Sequence, residues 1–189
     1  MPMDPDRIKN AVRELLIGMG EDPDREGLLE TPRRVAAMYE EICGGYEMDP
    51  IAVLQTQFDE AHQEMVIMRD MPFYSLCEHH LLPFFGTAHV GYVPRGKVVG
   101  ISKLARVVEV FARRPQVQER LTSQIADAIM TAVDPEGVAV VLRAEHLCMA
   151  ARGVRKPGTS IVTSATRGQF RQDVASRAEF LNLLMDGIS

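Results

Sequence analysis

Apolar residues recur every three or four positions in the first part of the chain, a spacing that predicts amphipathic helices. One helix is expected after an acidic cap, at Asp4 or Asp6. A second begins at Thr31, which precedes a proline, and ends at Gly44; a short third helix follows. Because each helix carries a single apolar stripe, residues 1–63 are predicted to form an N-terminal helical segment and not an independent domain.

From residue 64 the pattern changes to runs typical of β-strands, separated by short turns. The expected strands are 64–69, 84–93, 97–101, 138–150 and 159–166. Two helices are expected between the third and fourth strands. A last helix follows Asp173, with an apolar stripe at Val174, Ala178, Leu181 and Leu184. Residues 64–189 are therefore predicted to form one α+β catalytic domain, an antiparallel β-sheet with helices packed on one face.

The composition is that of a globular chain whose charge is unevenly distributed. Of the 189 residues, 46% are hydrophobic, and the formal net charge is -5. The first 70 residues hold 7 Lys or Arg against 16 Asp or Glu, so the rest of the chain is net basic. An acidic chain without Trp argues against nucleic-acid binding, whereas a locally basic second part suits a small anionic ligand.

The expected location of the protein follows from three features. No run of eighteen uncharged apolar residues occurs, so no membrane-spanning helix is expected. The acidic N-terminus has no apolar run of the kind found in secretory signals. The cysteines number three, which does not suit a disulfide framework. A reduced, cytoplasmic protein is the expectation.

Two short segments concentrate the side chains that bind metals. Cys77-Glu78-His79-His80 places a thiol and two imidazoles in one turn, while His146 and Cys148 share a face of the predicted strand 138–150. Together they predict a zinc site. The alternative is a buried cysteine in each segment, accompanied by polar histidines. Because the two spacings differ, a catalytic site with three protein ligands is favoured over a closed structural site with four.

A second set of residues suits an anion and a purine base. Lys103 and Arg106 follow Ser102 at the predicted start of a helix, where the helix dipole favours an anion such as phosphate. The alternative is a solvated surface with an Arg106–Glu109 ion pair. Gln118-Glu119 opens the next helix, where a carboxylate either matches the dipole or accepts the paired N–H donors of a guanine edge.

Six segments of the chain form a recognisable pattern. They are Glu30-Thr31-Pro32-Arg33-Arg34, Cys77-Glu78-His79-His80, Gly100-Ile101-Ser102-Lys103-Leu104-Ala105-Arg106, Arg114-Pro115-Gln116-Val117-Gln118-Glu119-Arg120-Leu121, His146-Leu147-Cys148-Met149-Ala150-Ala151-Arg152-Gly153 and Thr163-Ser164-Ala165. In this order, over most of the chain, they resemble the zinc-dependent GTP cyclohydrolase I family. One departure is Ala37, where some relatives carry a further lysine for phosphate.

The resemblance implies three kinds of site residue. The implied Zn²⁺ ligands are Cys77, His80 and Cys148. The implied catalytic residues are His79, His146 and Ser102, the last at the ribose end of the site. The implied substrate-binding residues are Gln118 and Glu119 for guanine, and Lys103, Arg106, Arg152 and Arg34 for the triphosphate.

The resemblance also implies a fold, an assembly and a reaction. The fold is the tunnelling fold, in which antiparallel sheets of several subunits surround a central tunnel. The assembly is a homo-oligomer, a ring-shaped decamer with sites at subunit boundaries, open to allosteric control. The implied enzyme hydrolyses the imidazole ring of GTP, releases formate and forms 7,8-dihydroneopterin triphosphate, the first step of folate and pterin biosynthesis.

Two alternatives from other classes are weighed against this implied function. A zinc-dependent base deaminase would need a P-C-x-x-C segment, which does not occur. A non-catalytic, zinc-stabilised oligomer or a pterin-binding relative would not need His79, His146 and Lys103, yet all three are present.

Overall fold

Two units make up the structure, a computed structural model that describes residues 2–185, and the boundary between them lies between Gly44 and Gly45. The helices are α1 at Pro5–Gly18, α2 at Thr31–Ile42, α3 at Pro50–Val53, α4 at Ile101–Ala112, α5 at Gln118–Val133, α6 at Leu147–Ala150, α7 at Gln169–Gln172 and α8 at Val174–Met185. A 3₁₀ helix spans Gly44–Glu47. The strands are β1 at Gln57–Asp59, β2 at Val66–Cys77, β3 at Pro83–Val93, β4 at Lys97–Val99, β5 at Pro115–Gln116, β6 at Gly137–His146 and β7 at Ser160–Gly168.

The helix starts in the first part of the chain follow from capping side chains and prolines. Asp4 caps α1 by accepting a hydrogen bond from a backbone N–H of the first turn at 3.0 Å, as predicted. Asp49 caps α3 in the same way. In α2, Glu30 and not Thr31 occupies the cap position, and it makes no side-chain cap bond. Within residues 2–185, no helix has the length and apolar content that crossing a bilayer requires.

The main sheet of the second unit has five strands in the order β5-β2-β3-β6-β7. Neighbouring strands of this sheet are antiparallel, except that β5 lies parallel to β2. In the ladder between β3 and β6, Phe84 pairs with His146, at the start of one strand and the end of the other. This register brings the turn after β2 and the turn after β6 to the same end of the sheet, where the predicted metal ligands lie.

Helices α4 and α5 cover one face of this sheet, and the main core lies between these helices and the sheet. Alternate residues of β3, such as Phe84 and Val90, are buried with Leu104 of α4 and Ile125 of α5. The Tyr92 hydroxyl reaches across this core and accepts a hydrogen bond from the Val99 N–H at 3.0 Å, so a buried polar group is satisfied. The α+β class with an antiparallel sheet is confirmed.

The C-terminal helix lies on the opposite face of the sheet, although the pattern predicts helices on one face. Phe180 of α8 packs with Phe170, Val93 and Ala139 in a separate cluster. Its ring covers Gly91, the residue of β3 that lies on the other side from Val90. A short helix after an edge strand can fold over either face, and a one-sided apolar stripe in the sequence does not choose between them.

Several boundaries differ from those that the sequence predicts, and the strand expected over 64–69 spans Val66–Cys77 as β2. β1 at Gln57–Asp59 lies inside the segment expected to be helical, and it pairs with β4. The sequence pattern did not predict this strand, because three residues are too few to show a period. The strand expected over 97–101 ends at Val99, because α4 begins at Ile101. The strand expected over 138–150 ends at His146.

Candidate metal centre and active site

The turn that follows β2 carries two of the implied metal ligands. Its shape is set by the Cys77 carbonyl, which accepts hydrogen bonds from the backbone N–H groups of His80 at 3.3 Å and Leu81 at 2.8 Å. Leu81 has a φ of 53°, a left-handed conformation that reverses the chain into β3. The Cys77 side chain is buried and His80 is exposed. The turn therefore presents a thiol from the interior and an imidazole from the surface.

The third implied ligand arrives from the turn after β6. Because the strand ends at His146, Cys148 lies in the short helix α6. The prediction that His146 and Cys148 share a strand face is therefore wrong: a helical turn, and not strand alternation, places Cys148. The donor atoms of Cys77, His80 and Cys148 nevertheless all lie within 4.8 Å of one another.

These three donors fit zinc by their chemistry. Two thiols and one imidazole match the soft and borderline ligands that zinc takes in proteins, and three protein ligands leave a fourth position for water. Burial raises the pKa of the Cys148 thiol, and the neighbouring Cys77 thiol raises it further. Since a metal ion favours the thiolate, metal binding would offset the free-energy cost of deprotonating this thiol.

Two more implied residues border this cluster. His79 lies outside the group of three donors, with its Nδ1 3.8 Å from Cys77 Sγ and 63% of its side chain exposed. An Arg152 Nη1 donates a hydrogen bond to His80 Nε2 at 2.8 Å. The structure thus brings the implied ligands together with an exposed imidazole and an arginine.

His146 is held on two sides near the cluster. Its ring stacks on Phe84, with ring centroids 4.5 Å apart and planes at 4°. Its Nε2 lies 2.8 Å from Gln118 Oε1. Burial lowers the pKa of His146, and the Glu119 carboxylate opposes this shift. The surroundings therefore favour a neutral imidazole in a fixed orientation.

Gln118 and Glu119, implied together as guanine contacts, lie in different environments. Gln118 is buried, and the two N–H protons of its amide Nε2 are shared among three acceptors: Leu142 O at 3.2 Å, Ile161 O at 3.1 Å and Thr163 Oγ1 at 3.1 Å. Glu119 is exposed in the first turn of α5. The structure leaves the carboxylate accessible to a ligand, whereas the amide is fully bonded to the protein.

The remaining implied residues lie on helices. Gly100 occupies the cap position of α4, so Ser102 lies inside the helix and not before it as predicted. Lys103 is half-buried and Arg106 is exposed. Within residues 2–185, no hydrogen bond or ion pair joins these α4 side chains to the Cys–His cluster, nor Arg106 to Glu109. Arg34 is exposed on α2 in the first unit.

An ion pair that the sequence reasoning missed ties the cluster to α5. The Glu78 carboxylate, inside the Cys-Glu-His-His segment, binds Arg120, and that bond holds the pKa of the Glu78 carboxyl below its ordinary value. Arg120 also donates to buried Gln116 at 2.9 Å. Phe84 was missed as well. The sequence signal for Glu78 was its place between two implied ligands, while Phe84 reads as an ordinary core residue.

The sequence profile described as GTP cyclohydrolase I matches residues 8–185. The GTP cyclohydrolase 1 of Mycolicibacterium gilvum is 64% identical over 181 residues, which cover 95% of this chain and 90% of that protein. The GTP cyclohydrolase 1 of Corynebacterium glutamicum is 60% identical over 183 residues, covering 96% and 93%. The apo crystal structure of an archaeosine synthase QueF-Like superposes with a TM-score of 0.44 at 19% identity, covering 58% of this chain and 97% of that one.

Proposed function

The chain belongs to the GTP cyclohydrolase I family, and from this premise we propose that it converts GTP and water into 7,8-dihydroneopterin triphosphate and formate. This reaction opens the imidazole ring of guanine by hydrolysis and is the first step of folate and pterin biosynthesis. The observation that carries the proposal is the family match along nearly the whole chain. The cluster of Cys77, His80 and Cys148 supplies the metal-binding chemistry that such a hydrolysis needs.

In this proposal Cys77, His80 and Cys148 hold a zinc ion. Their donor atoms lie within 4.8 Å of one another, and the set of two sulfurs and one nitrogen favours zinc over the harder cations. Zinc, when bound, supplies Lewis-acid chemistry that lowers the pKa of water. Glu78 fixes the turn that carries Cys77 and His80, because its carboxylate is bonded to Arg120 of α5.

His146 and His79 move the protons of the reaction. His146 takes up a proton and passes it to the guanine ring nitrogen next to carbon 8 as the ring opens, and its stacking on Phe84 fixes the plane in which it does so. His79 is exposed beside the cluster and serves the later steps, in which the ribose opens and rearranges, together with Ser102. A positioned acid or base of this kind typically contributes about 10²–10⁴-fold to a rate.

The substrate is held at its two ends. Glu119 accepts the paired N–H donors of the guanine edge, since its carboxylate is exposed. Gln118, which the family pattern also assigns to guanine, has its amide bonded within the protein and acts on the base only through its neighbours. Lys103, Arg106, Arg152 and Arg34 supply positive charge for the triphosphate.

The proposal extends to the assembly, the domains and the location. The enzyme forms a homo-oligomer, a decamer in which α4 of one subunit completes the Cys–His cluster of another. Residues 64–189 carry the catalytic domain, and residues 1–63 form a helical segment that contributes Arg34. The protein works in the cytoplasm, a reducing compartment where its three cysteines remain thiols.

Turnover of GTP by the purified, zinc-loaded protein tests the proposed function. Formate should be released, and oxidation of the product should give a fluorescent pterin. Finding neither product would end the proposal. Ammonia release from purines would instead indicate a deaminase, and zinc-dependent stability without any turnover would indicate a non-catalytic relative.

A further inference from the structure

A chain of hydrogen bonds leads from His146 into the protein. His146 Nε2 lies 2.8 Å from Gln118 Oε1, and Gln118 Nε2 lies 3.1 Å from Thr163 Oγ1. Thr163 Oγ1 lies 2.6 Å from Thr122 Oγ1, which is 2.7 Å from the backbone oxygen of Gln118. Gln118 and Thr122 are buried. The two threonines join β7 to α5 and have no part in the proposed reaction so far.

The last bond of the chain fixes the direction of the others. A backbone carbonyl only accepts, so Thr122 donates its single hydroxyl proton to the oxygen of Gln118. Thr122 Oγ1 then has only lone pairs to offer, and Thr163 must donate to it. With its own proton used in this way, Thr163 accepts from the Gln118 amide Nε2.

The backbone around Gln118 fixes its amide in the same sense. Nε2 also lies 3.2 Å from Leu142 O and 3.1 Å from Ile161 O, two carbonyls that can only accept. An amide turned over would set Oε1 against both carbonyls in a buried site, which costs free energy. Oε1 therefore faces His146, and because this oxygen only accepts, the proton of that bond belongs to His146 Nε2.

We propose that Thr163 and Thr122 are positioning residues that act through Gln118 to hold His146 as the Nε2–H tautomer. The Nδ1 atom then carries the free lone pair. A proton exchanged with the substrate binds to Nδ1 and leaves from Nδ1, while the Nε2 proton stays in its bond to Gln118. The consequence for turnover rests on the proposed function, whereas the tautomer does not.

Valine variants test the effect on turnover. Thr163→Val and Thr122→Val keep the branched shape and remove the hydroxyl, so the amide loses part of its orientation. We expect kcat for GTP to fall about tenfold or more, a share of the 10²–10⁴-fold that a positioned acid or base contributes. KM for GTP and zinc content should stay at wild-type values. Thr163→Ser keeps the hydroxyl and should restore kcat.

A matched control exists in the same helix. The Thr131 hydroxyl of α5 also donates to the carbonyl four residues earlier, that of Asp127, at 2.8 Å, but Thr131 is exposed. Thr131→Val should leave both kcat and KM unchanged. Wild-type kcat in both Thr163→Val and Thr122→Val would overturn the proposal, as would a rise in KM alone, because that pattern belongs to a substrate contact.

The tautomer can be read directly by solid-state nitrogen-15 NMR of protein labelled at its five histidines. The His146→Asn variant identifies the signals of His146. Above pH 8 the wild-type ring should show a protonated Nε2 and an unprotonated Nδ1, and Thr163→Val should show a mixture. A wild-type ring protonated at Nδ1 contradicts the proposal. If no GTP is turned over, the proposed function fails while this measurement still decides the tautomer.

Discussion

Cys148 belongs to the cluster with Cys77 and His80, whereas Cys43 is not a member of that cluster. Cys148→Ser replaces a thiolate with a hydroxyl that does not ionise near neutral pH, so the three-ligand site loses an anchor. We expect zinc to be lost and GTP turnover to stop. His79→Ala should keep most of the zinc, because His79 lies outside the donor group, and yet slow turnover by about 10²–10⁴-fold.

Elemental analysis of the purified variants separates these two outcomes. Cys43→Ser is the matched control and should keep a full complement of zinc. If His79→Ala is empty while His80→Ala retains zinc, the two histidines have been assigned the wrong way round.

Lys103 tests the triphosphate end of the site. It is half-buried in the first turn of α4, where a charge reversal replaces attraction for phosphate with repulsion in a partly desolvated place. Lys103→Glu should weaken GTP binding by more than about tenfold, the size expected of a lost charge-assisted contact. Guanosine binding, measured by calorimetry, should change far less. Equal losses for GTP and guanosine would assign Lys103 to the fold and not to phosphate.

The environment of His89 makes the free energy of unfolding depend on pH. Its Nδ1 accepts the Asp70 N–H at 3.1 Å, and burial lowers the pKa of His89 below the ordinary 6.5, against the opposing Asp70 carboxylate and with a small contribution from Arg69. The unfolded chain therefore binds the proton first as pH falls. The stabilising contribution of His89 is present above pH 6.5 and is lost as pH falls through the folded pKa.

Thermal unfolding of the zinc-saturated protein at pH 8 and pH 6 measures this contribution. In His89→Gln, the drop in Tm between the two pH values should be smaller than in the wild type. His62 is exposed, so His62→Gln serves as the control and should show the wild-type drop. An unchanged drop in His89→Gln would refute the prediction.

At the scale of elements, the contact between β3 and α8 rests on the absence of a side chain. A Cβ on Gly91 would lie 2.6 Å from the Phe180 ring, which is buried. Gly91→Ala should destabilise the protein by about 1–3 kcal/mol, the usual cost of overpacking a core. Adding Phe180→Leu should recover part of the loss, because the smaller side chain makes room. Denaturant unfolding of the single and double variants checks this, and strictly additive losses would contradict it.

The same helix shows what the apolar pattern could not predict. The sequence predicts a stripe at Val174, Ala178, Leu181 and Leu184, yet Val174 is 67% and Leu181 45% exposed, whereas Phe180 is buried. Periodicity finds that a helix exists and where it begins, here after the predicted cap Asp173. Which stripe is buried depends on a partner surface, in this case the gap over Gly91, that lies far away in the sequence.

In the candidate site, too, some features follow from the sequence and others depend on how distant elements pack together. Residue chemistry and spacing indicate that zinc ligands lie among two cysteines and three histidines, because few other side chains bind zinc. The family resemblance narrows this set to Cys77, His80 and Cys148, and these three converge. The reason given for Cys148 was wrong, since a strand that ends at His146 is a fact of hydrogen bonding between strands and not of apolar pattern. The bonds of Gln118 to Thr163 and to two carbonyls could not be predicted, because they depend on how α5 lies against β7.

At the scale of the whole molecule, the proposed oligomer determines which subunits complete each active site. Within residues 2–185, Lys103 makes no hydrogen bond or ion pair with the cluster that contains Cys148. If α4 of one subunit serves the cluster of its neighbour, two impaired variants can complement each other in a mixed oligomer. A site that takes its cluster from a Lys103→Glu subunit and its α4 from a Cys148→Ser subunit carries neither lesion.

Mixing the Lys103→Glu and Cys148→Ser proteins under conditions that exchange subunits should therefore raise GTP turnover above the sum of the two separate proteins, because the first alone binds GTP weakly and the second alone loses zinc. Mixing Cys148→Ser with His146→Ala is the control and should restore nothing, because His146 and Cys148 lie at the end of one strand and in the helix that follows it. Turnover is measured by formate release after the exchange. If the first mixture stays as inactive as the second, α4 and the cluster of one site come from the same chain. A fully active monomer would remove the need for shared sites altogether.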